Sequence, residues 1–394
     1  MPSCSQPPEF PITPKLAAAI RLFLHSQLFI TPPSPTHPFT NQTVIITGAN
    51  RGLGLEAARH FHRLNCARLI LAVRTVEKGH AAKEDILSSA ERSHANSTSA
   101  PAPASASAPE SDAAARIHVW PLDLRSTAST IAFADRVKRE LDRVDVFVAS
   151  AGVSTAAFEL VEGVEQVVQV NVLNTCLLVL LLLPKLQEYT AVGGDSVPHL
   201  VVVASDAHRL TSFPEVNVPD LYLGMSGREG FDQFHRYNAT KLIQVLFIRE
   251  LVARLTKRAN AKIRLPLPIP SSPPTPTSTP TAEADAGATP PVIINLVNPG
   301  LSSTTSDGKP FPLHVRIFRR ILSRTVEVGS RTLVLAASAP ASSHGEYQSD
   351  GANQDVEAWI YSYVGQRVQV KVFEQTMRIL EGRCPGVARG VGLE

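Results

Sequence analysis

The feature that most constrains the fold is a regular alternation of short apolar runs with longer helix-like stretches, which begins at Thr43. We predict strands over residues 44–46, 69–73, 117–120, 144–149, 200–204 and 292–297, and helices over 52–65, 76–89, 127–141, 160–186 and 234–258. Strands that are apolar throughout and alternate with helices are typical of a parallel sheet with both faces covered. The chain is therefore predicted to be a single-domain α/β protein, a doubly wound parallel sheet of about seven strands with helices on both faces.

Two segments interrupt the alternation, residues 93–112 and 265–290, and both are rich in Pro, Ser, Ala and Thr. Such compositions bury little apolar surface, so both are predicted to be disordered insertions. Each precedes a predicted strand and therefore lies at the amino edge of the sheet, whereas ligands bind at the carboxyl edge. Segments 209–230 and 301–324 instead follow strands, and we expect them to shape a substrate pocket.

The domain itself is predicted to span residues 41–383, with an extension over 1–40 and a tail over 384–394. Lys15 to Ile30 is predicted to be a helix, because Leu16, Ile20, Leu24 and Leu28 recur every four residues. We expect it to pack on the domain edge or on a partner subunit, with an interfacial membrane helix as the alternative. Met1 to Pro14 lacks the pattern of a secretory signal, so a cytoplasmic location is expected, with peripheral membrane contact as the alternative.

Net charge and cysteine spacing indicate which classes of partner to expect. The formal net charge of +3 over 394 residues is small, and no basic stripe is interleaved with aromatic residues, so no nucleic-acid partner is expected. The four cysteines, Cys4, Cys66, Cys176 and Cys384, lack metal-type spacing. They are predicted to be free thiols, and no metal site is expected.

Three glycines, Gly48, Gly52 and Gly54, directly follow the first predicted strand and open the first predicted helix. Glycine lets the backbone turn sharply and approach a phosphate, and a helix N-terminus attracts negative charge. The spacing alone is a weak signal, because glycine is common in tight turns. Its position between a strand and a helix predicts a dinucleotide-binding turn.

The end of the second strand bears on which dinucleotide would bind. It reads Ala72-Val73-Arg74, without the acidic residue that binds the ribose hydroxyls of NAD, and Arg51 lies in the glycine turn. Two arginines favour NADP(H) over NAD(H), unless both are solvated surface residues. Asp123, after the third strand, is predicted either to accept a hydrogen bond from the adenine amine or to cap the next helix.

Tyr237 and Lys241 are four positions apart on a predicted helix and therefore share a face. A phenol titrates near ~10, and a neighbouring ammonium stabilises the phenolate, which suits a general acid/base. Ser205 ends a predicted strand at the carboxyl edge. It is expected to donate a hydrogen bond to a substrate carbonyl, or else merely to cap the strand.

These motifs, in this order, resemble the short-chain dehydrogenase/reductase family, and most of all its retinol-dehydrogenase-like and fungal branches, from about Thr43 to Arg383. Thr47 to Gly54 matches TGxxxGxG and Tyr237 to Lys241 matches YxxxK, while Ser205 falls on the catalytic serine. Asn171 is similar to the helix asparagine of the family's tetrad. Asn298-Pro299-Gly300 followed by Thr304 resembles the PG motif, whose threonine holds the nicotinamide carboxamide.

The resemblance implies a Rossmann-type fold in which Tyr237 is the general acid or base and Ser205 positions the carbonyl. Lys241 would bind the ribose hydroxyls and lower the tyrosine pKa, and Asn171 would anchor a water that links Lys241 to solvent. The expected cofactor-binding residues are Thr47, Gly48, Asn50, Arg51, Gly52, Leu53, Gly54, Arg74, Asp123, Ala151, Gly152, Tyr237, Lys241, Pro299, Gly300 and Thr304.

The sequence departs from the family pattern in two places. The family's NNAG reads Ala149-Ser150-Ala151-Gly152, which removes two asparagines that support the sheet and the adenine side. Ser205 and Tyr237 are 32 positions apart, a longer interval than is usual in the family. The surplus, residues 211–231, is predicted to be a pocket loop.

The expected activity is NADP(H)-dependent interconversion of a carbonyl and an alcohol on a small lipophilic substrate, in specialised metabolism. The lipophilic pocket is predicted from residues on the two pocket segments, namely Leu221, Leu223, Phe231, Phe234, Phe311, Pro312 and Leu313. Alternatives are a retinol or steroid dehydrogenase, an epimerase or dehydratase of the extended branch, and a nucleotide sensor without turnover. A homo-oligomer, paired through the helices predicted over 160–186 and 234–258, is a further expectation.

Overall fold

The computed structural model describes residues 8–97, 110–191, 196–263, 289–303 and 320–393. Most of the two Pro/Ser/Ala/Thr-rich insertions lies outside these ranges. So do Thr304 and the predicted pocket residues Phe311, Pro312 and Leu313.

An eight-stranded sheet forms the centre of the part of the chain that the structure describes. With the short hairpin β5–β6 included, the strands are β1 Thr43–Thr47, β2 Arg68–Val73, β3 Ile117–Pro121, β4 Val146–Ala149, β5 Leu160–Val161, β6 Val164–Glu165, β7 His199–Val203, β8 Ile293–Asn298, β9 Tyr347–Ser349 and β10 Ala352–Gln354. The sheet order is β10-β9-β8-β7-β4-β1-β2-β3, and of these pairs only β9–β10 is antiparallel. The predicted doubly wound parallel sheet is confirmed, and the order reverses between β1 and β4, where such sheets bind ligands.

Helices cover both faces of the sheet. They are α1 Leu16–Phe29, α2 Gly52–Arg63, α3 Val76–Ser97, α4 Glu110–Ala115, α5 Thr127–Glu140, α6 Gln166–Val168, α7 Thr175–Ala191, α8 Leu221–Met225, α9 Gln233–Ile263, α10 Val326–Ala336, α11 Tyr363–Arg383 and α12 Val387–Gly390. Alternate residues of β1 point to opposite faces of the sheet. Ile45 packs beneath α5, α7, α9 and α11, whereas Val44 and Ile46 pack beneath α2, α3 and α10. Because both faces are buried, every residue of β1 is buried, as the apolar pattern requires.

The helix predicted over 160–186 begins later than expected. Leu160–Val161 and Val164–Glu165 instead form a hairpin, whose turn places Glu162 at φ 52° and Gly163 at φ 81°. Such positive φ values do not occur in a right-handed helix. The Glu165 carboxylate then accepts from the amides of Val167 and Val168, so that the helix starts at Gln166. It passes through a π-helical turn, Gln169–Asn174, before α7.

Both flanking segments belong to the same core as the sheet. Phe10 and Ile12 are buried in it, as are Val387 and Val391. The C-terminal residues expected to be a tail therefore pack with the domain as far as Leu393. The helix α1 packs on the domain edge through the buried Ala19 and Ser26.

Among the described residues, one helix is long and apolar enough to cross a membrane, Gln166–Glu188, and 94% of its most apolar window is buried inside the protein. It lies against the sheet with the other core helices. The apolar composition of this helix is therefore explained by its burial in the core.

Candidate active site

Four of the predicted site residues follow strands at the carboxyl edge of the sheet. Gly48 follows β1, Ala151 follows β4, Ser205 follows β7 and Pro299 follows β8. These four strands are consecutive in the sheet, so their carboxyl ends line one cleft beside the point where the strand order reverses.

The glycine turn has the geometry of an anion site. Gly48 and Gly52 have φ values of 70° and 58°, which side-chain-bearing residues rarely adopt. A Cβ on Gly54 would lie 2.6 Å from the Gly48 carbonyl oxygen. No side chain caps α2 at Arg51, and no acidic residue lies in its first turn, so its N-terminal amides suit a pyrophosphate.

The second strand brings Arg74 to the same region, because Gly48 donates its amide to the Ala72 carbonyl at 2.8 Å. Arg51 and Arg74 are both exposed. Asp123, in contrast, does not cap the next helix: Ser126 caps α5 by accepting from Ser129. The Asp123 carboxylate accepts instead from the Arg125 amide at 3.0 Å, in a local turn, so the capping alternative is wrong.

The segment that replaces the two family asparagines still docks on β1. The Ala151 amide donates to Thr47 Oγ1 at 2.9 Å, and Gly48 approaches so closely that a Cβ there would lie 3.0 Å from Ala151 Cα. Gly152 follows, and a Cβ there would lie 4.0 Å from Lys241 Nζ. Thr47 and Ala151 therefore supply a contact between the glycine turn and β4 that needs no asparagine.

Asn171 is fully buried in the π-helical turn. Its Oδ1 accepts from the Val153 amide at 2.8 Å, and its Nδ2 donates to the Val153 carbonyl at 2.9 Å. Nδ2 also lies 3.3 Å from Thr240 Oγ1, which donates to the Tyr237 carbonyl. The asparagine side chain therefore ties the loop after β4 to the helix that carries Tyr237.

The Ser205 side chain lies close enough to the Tyr237 phenol to lower the pKa of that phenol. Ser205 Oγ also accepts from the Ala207 amide at 3.2 Å, so this serine caps the short 3₁₀ helix Asp206–Leu210 as well. Burial raises the pKa of Tyr237, and the Ser205 side chain opposes that rise. The resemblance implied a lowered tyrosine pKa, whereas this structure indicates a raised one, because desolvation is the larger effect.

Lys241 lies beneath the tyrosine ring, with Nζ 5.8 Å from the ring centroid and only 5% of the residue exposed. Nζ donates to the Val203 carbonyl at 2.8 Å and to Gln244 Oε1 at 2.9 Å. Burial lowers the pKa of Lys241 to about 8. Among the described residues no carboxylate pairs with it, so its charge is balanced only by neutral dipoles.

A second set of buried groups, which the sequence analysis missed, supports Ser205. His208 Nδ1 is 2.7 Å from the Ser205 carbonyl, and its Nε2 accepts from the Glu357 amide at 3.3 Å. Because a carbonyl can only accept and an amide can only donate, the imidazole is neutral with its proton on Nδ1. Burial lowers the pKa of His208 to about 3, in agreement. Its position three residues after Ser205 was the only sequence signal.

Asp206, which follows Ser205 in the loop after β7, connects that loop to the loop after β8. It accepts from Asn298 Nδ2 at 2.7 Å and from the Tyr347 hydroxyl at 2.9 Å. Asn298 Oδ1 accepts in turn from the Gly300 amide at 3.1 Å, and Gly300 has a φ of 72°. The Pro299-Gly300 turn is therefore held by side chains beside Ser205, while Thr304 lies outside the described residues.

The predicted pocket loop over 211–231 is largely anchored. Leu221 is fully buried in the core and does not line an open pocket, which corrects one of the predicted pocket residues. Leu223 and Phe234 are 75% and 69% exposed. Phe231 packs edge-on against Phe158, with ring centroids 5.5 Å apart.

The chain is similar in sequence to known proteins of one family. A family model described as short chain dehydrogenase matches residues 90–212. The short chain dehydrogenase/reductase dmxR8 of Cryptosporiopsis sp. is 34% identical over 370 residues, which cover 93% of this chain and 98% of that protein. Short chain dehydrogenase atnD of Emericella nidulans is 35% identical over 334 residues, 83% of this chain and 90% of that protein.

Among solved structures, the short chain dehydrogenase from Shigella flexneri is similar at a TM-score of 0.49 and 17% identity, with 82% of this chain and 96% of that chain covered. The fold and the site define a Rossmann-type oxidoreductase that uses a nicotinamide nucleotide. The chain belongs to the short-chain dehydrogenase/reductase family, whose members act on CH–OH and C=O groups.

Proposed function

We propose that the protein reduces a ketone or aldehyde on a small lipophilic substrate with NADPH, or catalyses the reverse oxidation, with Tyr237 as the proton-transferring group. The observation that carries the proposal is that the Ser205 side chain lies beside the Tyr237 phenol, with the Lys241 ammonium 5.8 Å from the centroid of the same ring. A hydroxyl pair beside a buried cation is suited to a substrate oxygen on which negative charge develops.

In this proposal each side chain has one role. The nicotinamide, when bound, supplies or accepts the hydride at the substrate carbon. The Ser205 hydroxyl donates to the substrate oxygen, and Tyr237 delivers the proton to that oxygen during reduction. The charge of Lys241 stabilises the phenolate that remains, and this stabilisation offsets the burial that raises the tyrosine pKa.

The proposed preference for NADP(H) is supported by charge at the end of β2. Arg74 is exposed there, Arg51 is exposed in the adjacent turn, and the strand end Ala72-Val73-Arg74 contains no Asp or Glu. Guanidinium groups suit the 2′-phosphate of NADP, whereas a carboxylate would repel it. The lipophilic substrate is supported by the exposed Leu223 and Phe234. We place the reaction in specialised metabolism because the chain resembles the fungal branch of the family.

The direct test is carbonyl-dependent oxidation of NADPH over a panel of lipophilic ketones and aldehydes, comparing wild type with Tyr237→Phe. We expect turnover in wild type and a loss of about 100-fold to 10,000-fold in the variant, since general acid catalysis contributes on that scale. Tyr363→Phe is the control, because Tyr363 is 75% exposed and outside the site. NADPH binding without oxidation by any carbonyl would favour a nucleotide sensor instead.

A further inference from the structure

Gln244 is a buried residue that neither the motifs nor the family pattern assigns to the reaction. It is 1% exposed, and it lies three residues after Lys241 on α9, so the two side chains share a helix face. Its Oε1 accepts from Lys241 Nζ at 2.9 Å, and its Nε2 donates to the Asn171 carbonyl at 2.6 Å. One amide therefore joins two members of the candidate tetrad.

The π-helical turn provides the other end of this bridge. Two successive carbonyls of the turn receive side-chain donors: Val170 from Thr175 Oγ1 at 2.7 Å, and Asn171 from Gln244 Nε2. Wide turns of this kind recur at functional sites. The Asn171 carbonyl of this turn therefore has a protein donor, and that donor also contacts Lys241.

The chemistry of the bridge suits a cation that must keep its charge. Lys241 Nζ faces the Val203 carbonyl, the Gln244 amide and Gly152, and among the described residues the titratable group beside it is Tyr237, whose ring centroid is 5.8 Å away. A glutamine oxygen stabilises the ammonium without neutralising it, whereas a carboxylate at the same place would cancel its field at the phenol.

We infer that Gln244 is a positioning residue of the reaction: its amide fixes the Lys241 ammonium under Tyr237 and links it to the Asn171 backbone. The inference rests on the proposed function for its catalytic consequence. Its structural part, control of the Lys241 ammonium by a neutral acceptor, holds whether or not a carbonyl substrate is found.

Two substitutions separate this role from packing. Gln244→Met keeps the length of the side chain and removes both hydrogen bonds. It should lower the Lys241 pKa further, because a buried ammonium loses an acceptor. Gln244→Glu should raise that pKa, because a carboxylate favours the charged form. Shifts of about one unit in opposite directions are expected, the scale of one hydrogen bond to a charged group. If Gln244 only fills space, the two substitutions should not shift the Lys241 pKa in opposite directions.

The matched control is Gln169→Met. Gln169 is also a fully buried glutamine, it lies in the same π-helical turn, and its amide bonds Glu162 and the Arg125 carbonyl rather than the site. The Gln169→Met substitution makes the same chemical change as Gln244→Met, at a nearby buried position outside the site. We expect it to reduce thermal stability and to leave the titration of Lys241 unchanged.

The Lys241 pKa is measured by NMR titration of protein labelled with ¹³C-lysine, the signal being assigned by its loss in Lys241→Met. This measurement needs no turnover. Where wild type reduces a carbonyl, kcat/KM against pH is recorded for the same variants. Gln244→Met should lower kcat about tenfold and move the basic limb to lower pH, and Gln244→Glu should move it to higher pH.

The outcomes are distinct. Opposite shifts of the Lys241 pKa in Gln244→Met and Gln244→Glu support the inference. If wild type shows these shifts in its variants but reduces no carbonyl, the proposed function is refuted and the inference about Gln244 stands. A Lys241 pKa that is the same in wild type, Gln244→Met and Gln244→Glu, all folded at the titration temperature, overturns the inference even if the enzyme is active.

Discussion

The Asn171 side chain binds both backbone polar groups of Val153: Oδ1 accepts from the Val153 amide at 2.8 Å, and Nδ2 donates to the Val153 carbonyl at 2.9 Å. This pair fixes the loop after β4, which in this chain lacks the asparagines that the family pattern has there. The Asn171 side chain therefore has a structural role in addition to the role that the family resemblance implies.

Asn171→Ala should accordingly destabilise the fold as well as the site. It leaves two partly buried backbone groups of Val153 without these partners, and the loss of a partner costs a fully buried group about 1–3 kcal/mol. Urea denaturation should show a decrease in the free energy of unfolding of at least about 2 kcal/mol. Asn353→Ala, at an exposed asparagine of β10, serves as the control and should cost less than that. Equal losses for the two variants would contradict this role for Asn171.

Gly54→Ala should weaken nucleotide binding. The added Cβ would lie 2.6 Å from the Gly48 carbonyl, so the turn must shift away from its anion-binding geometry. We expect the Kd for NADPH to rise about tenfold or more, and stability to fall by about 1–3 kcal/mol. Gly382→Ala is the control, since a Cβ there meets no atom within 4 Å and alanine favours the helix. Unchanged NADPH affinity in Gly54→Ala, measured by calorimetry, would count against the glycine turn as the phosphate site.

Arg74→Glu tests the nucleotide preference. A carboxylate at the end of β2 should repel the 2′-phosphate of NADP and suit the ribose hydroxyls of NAD. The ratio of kcat/KM for NADPH to that for NADH should fall about tenfold or more, the scale of one lost charge-assisted contact. Arg139→Glu, on the exposed surface of α5, is the charge-matched control. If both variants change the ratio equally, Arg74 does not select the cofactor.

His208 should make stability fall in mild acid. Its pKa is about 3 in the folded protein against 6.5 for the free side chain, so the unfolded chain takes up a proton first as pH falls. The stability associated with the neutral imidazole is therefore complete above pH 6.5 and is lost progressively as pH falls toward 3. Between pH 7 and pH 5 this amounts to about 2 kcal/mol.

His208→Gln should remove that part of the pH dependence, as measured by the free energy of unfolding at pH 7 and pH 5. His235 provides a comparison of opposite sign, because its hydrogen bond with Glu215 raises its pKa. The stability that charged His235 contributes is present at low pH and is lost as pH rises. His235→Gln should therefore make the free energy of unfolding fall more steeply between pH 7 and pH 5 than in wild type. A slope in His208→Gln equal to that of wild type would show that the imidazole is accessible to protons.

Much of the molecule follows from local sequence. The apolar runs, the glycine turn and the Tyr237–Lys241 spacing predict strands, a strand-to-helix junction and a shared helix face, because each depends on neighbours within a few residues. The start of the helix at Gln166 was misplaced, because the hairpin before it depends on a turn with Glu162 and Gly163 at positive φ. The alternation of hydrophobic residues does not report such a turn.

Sequence alone thus determined the doubly wound class and the residues of the candidate site, since periodicity and motif order carry that information along the chain. Only the tertiary structure decided how those residues are held. Gln244 and His208 bond Asn171 and Glu357, which are 73 and 149 positions away. The balance between desolvation and hydrogen bonding that sets the pKa of Tyr237 and Lys241 likewise depends on distant segments packed around them, and no local pattern encodes that packing.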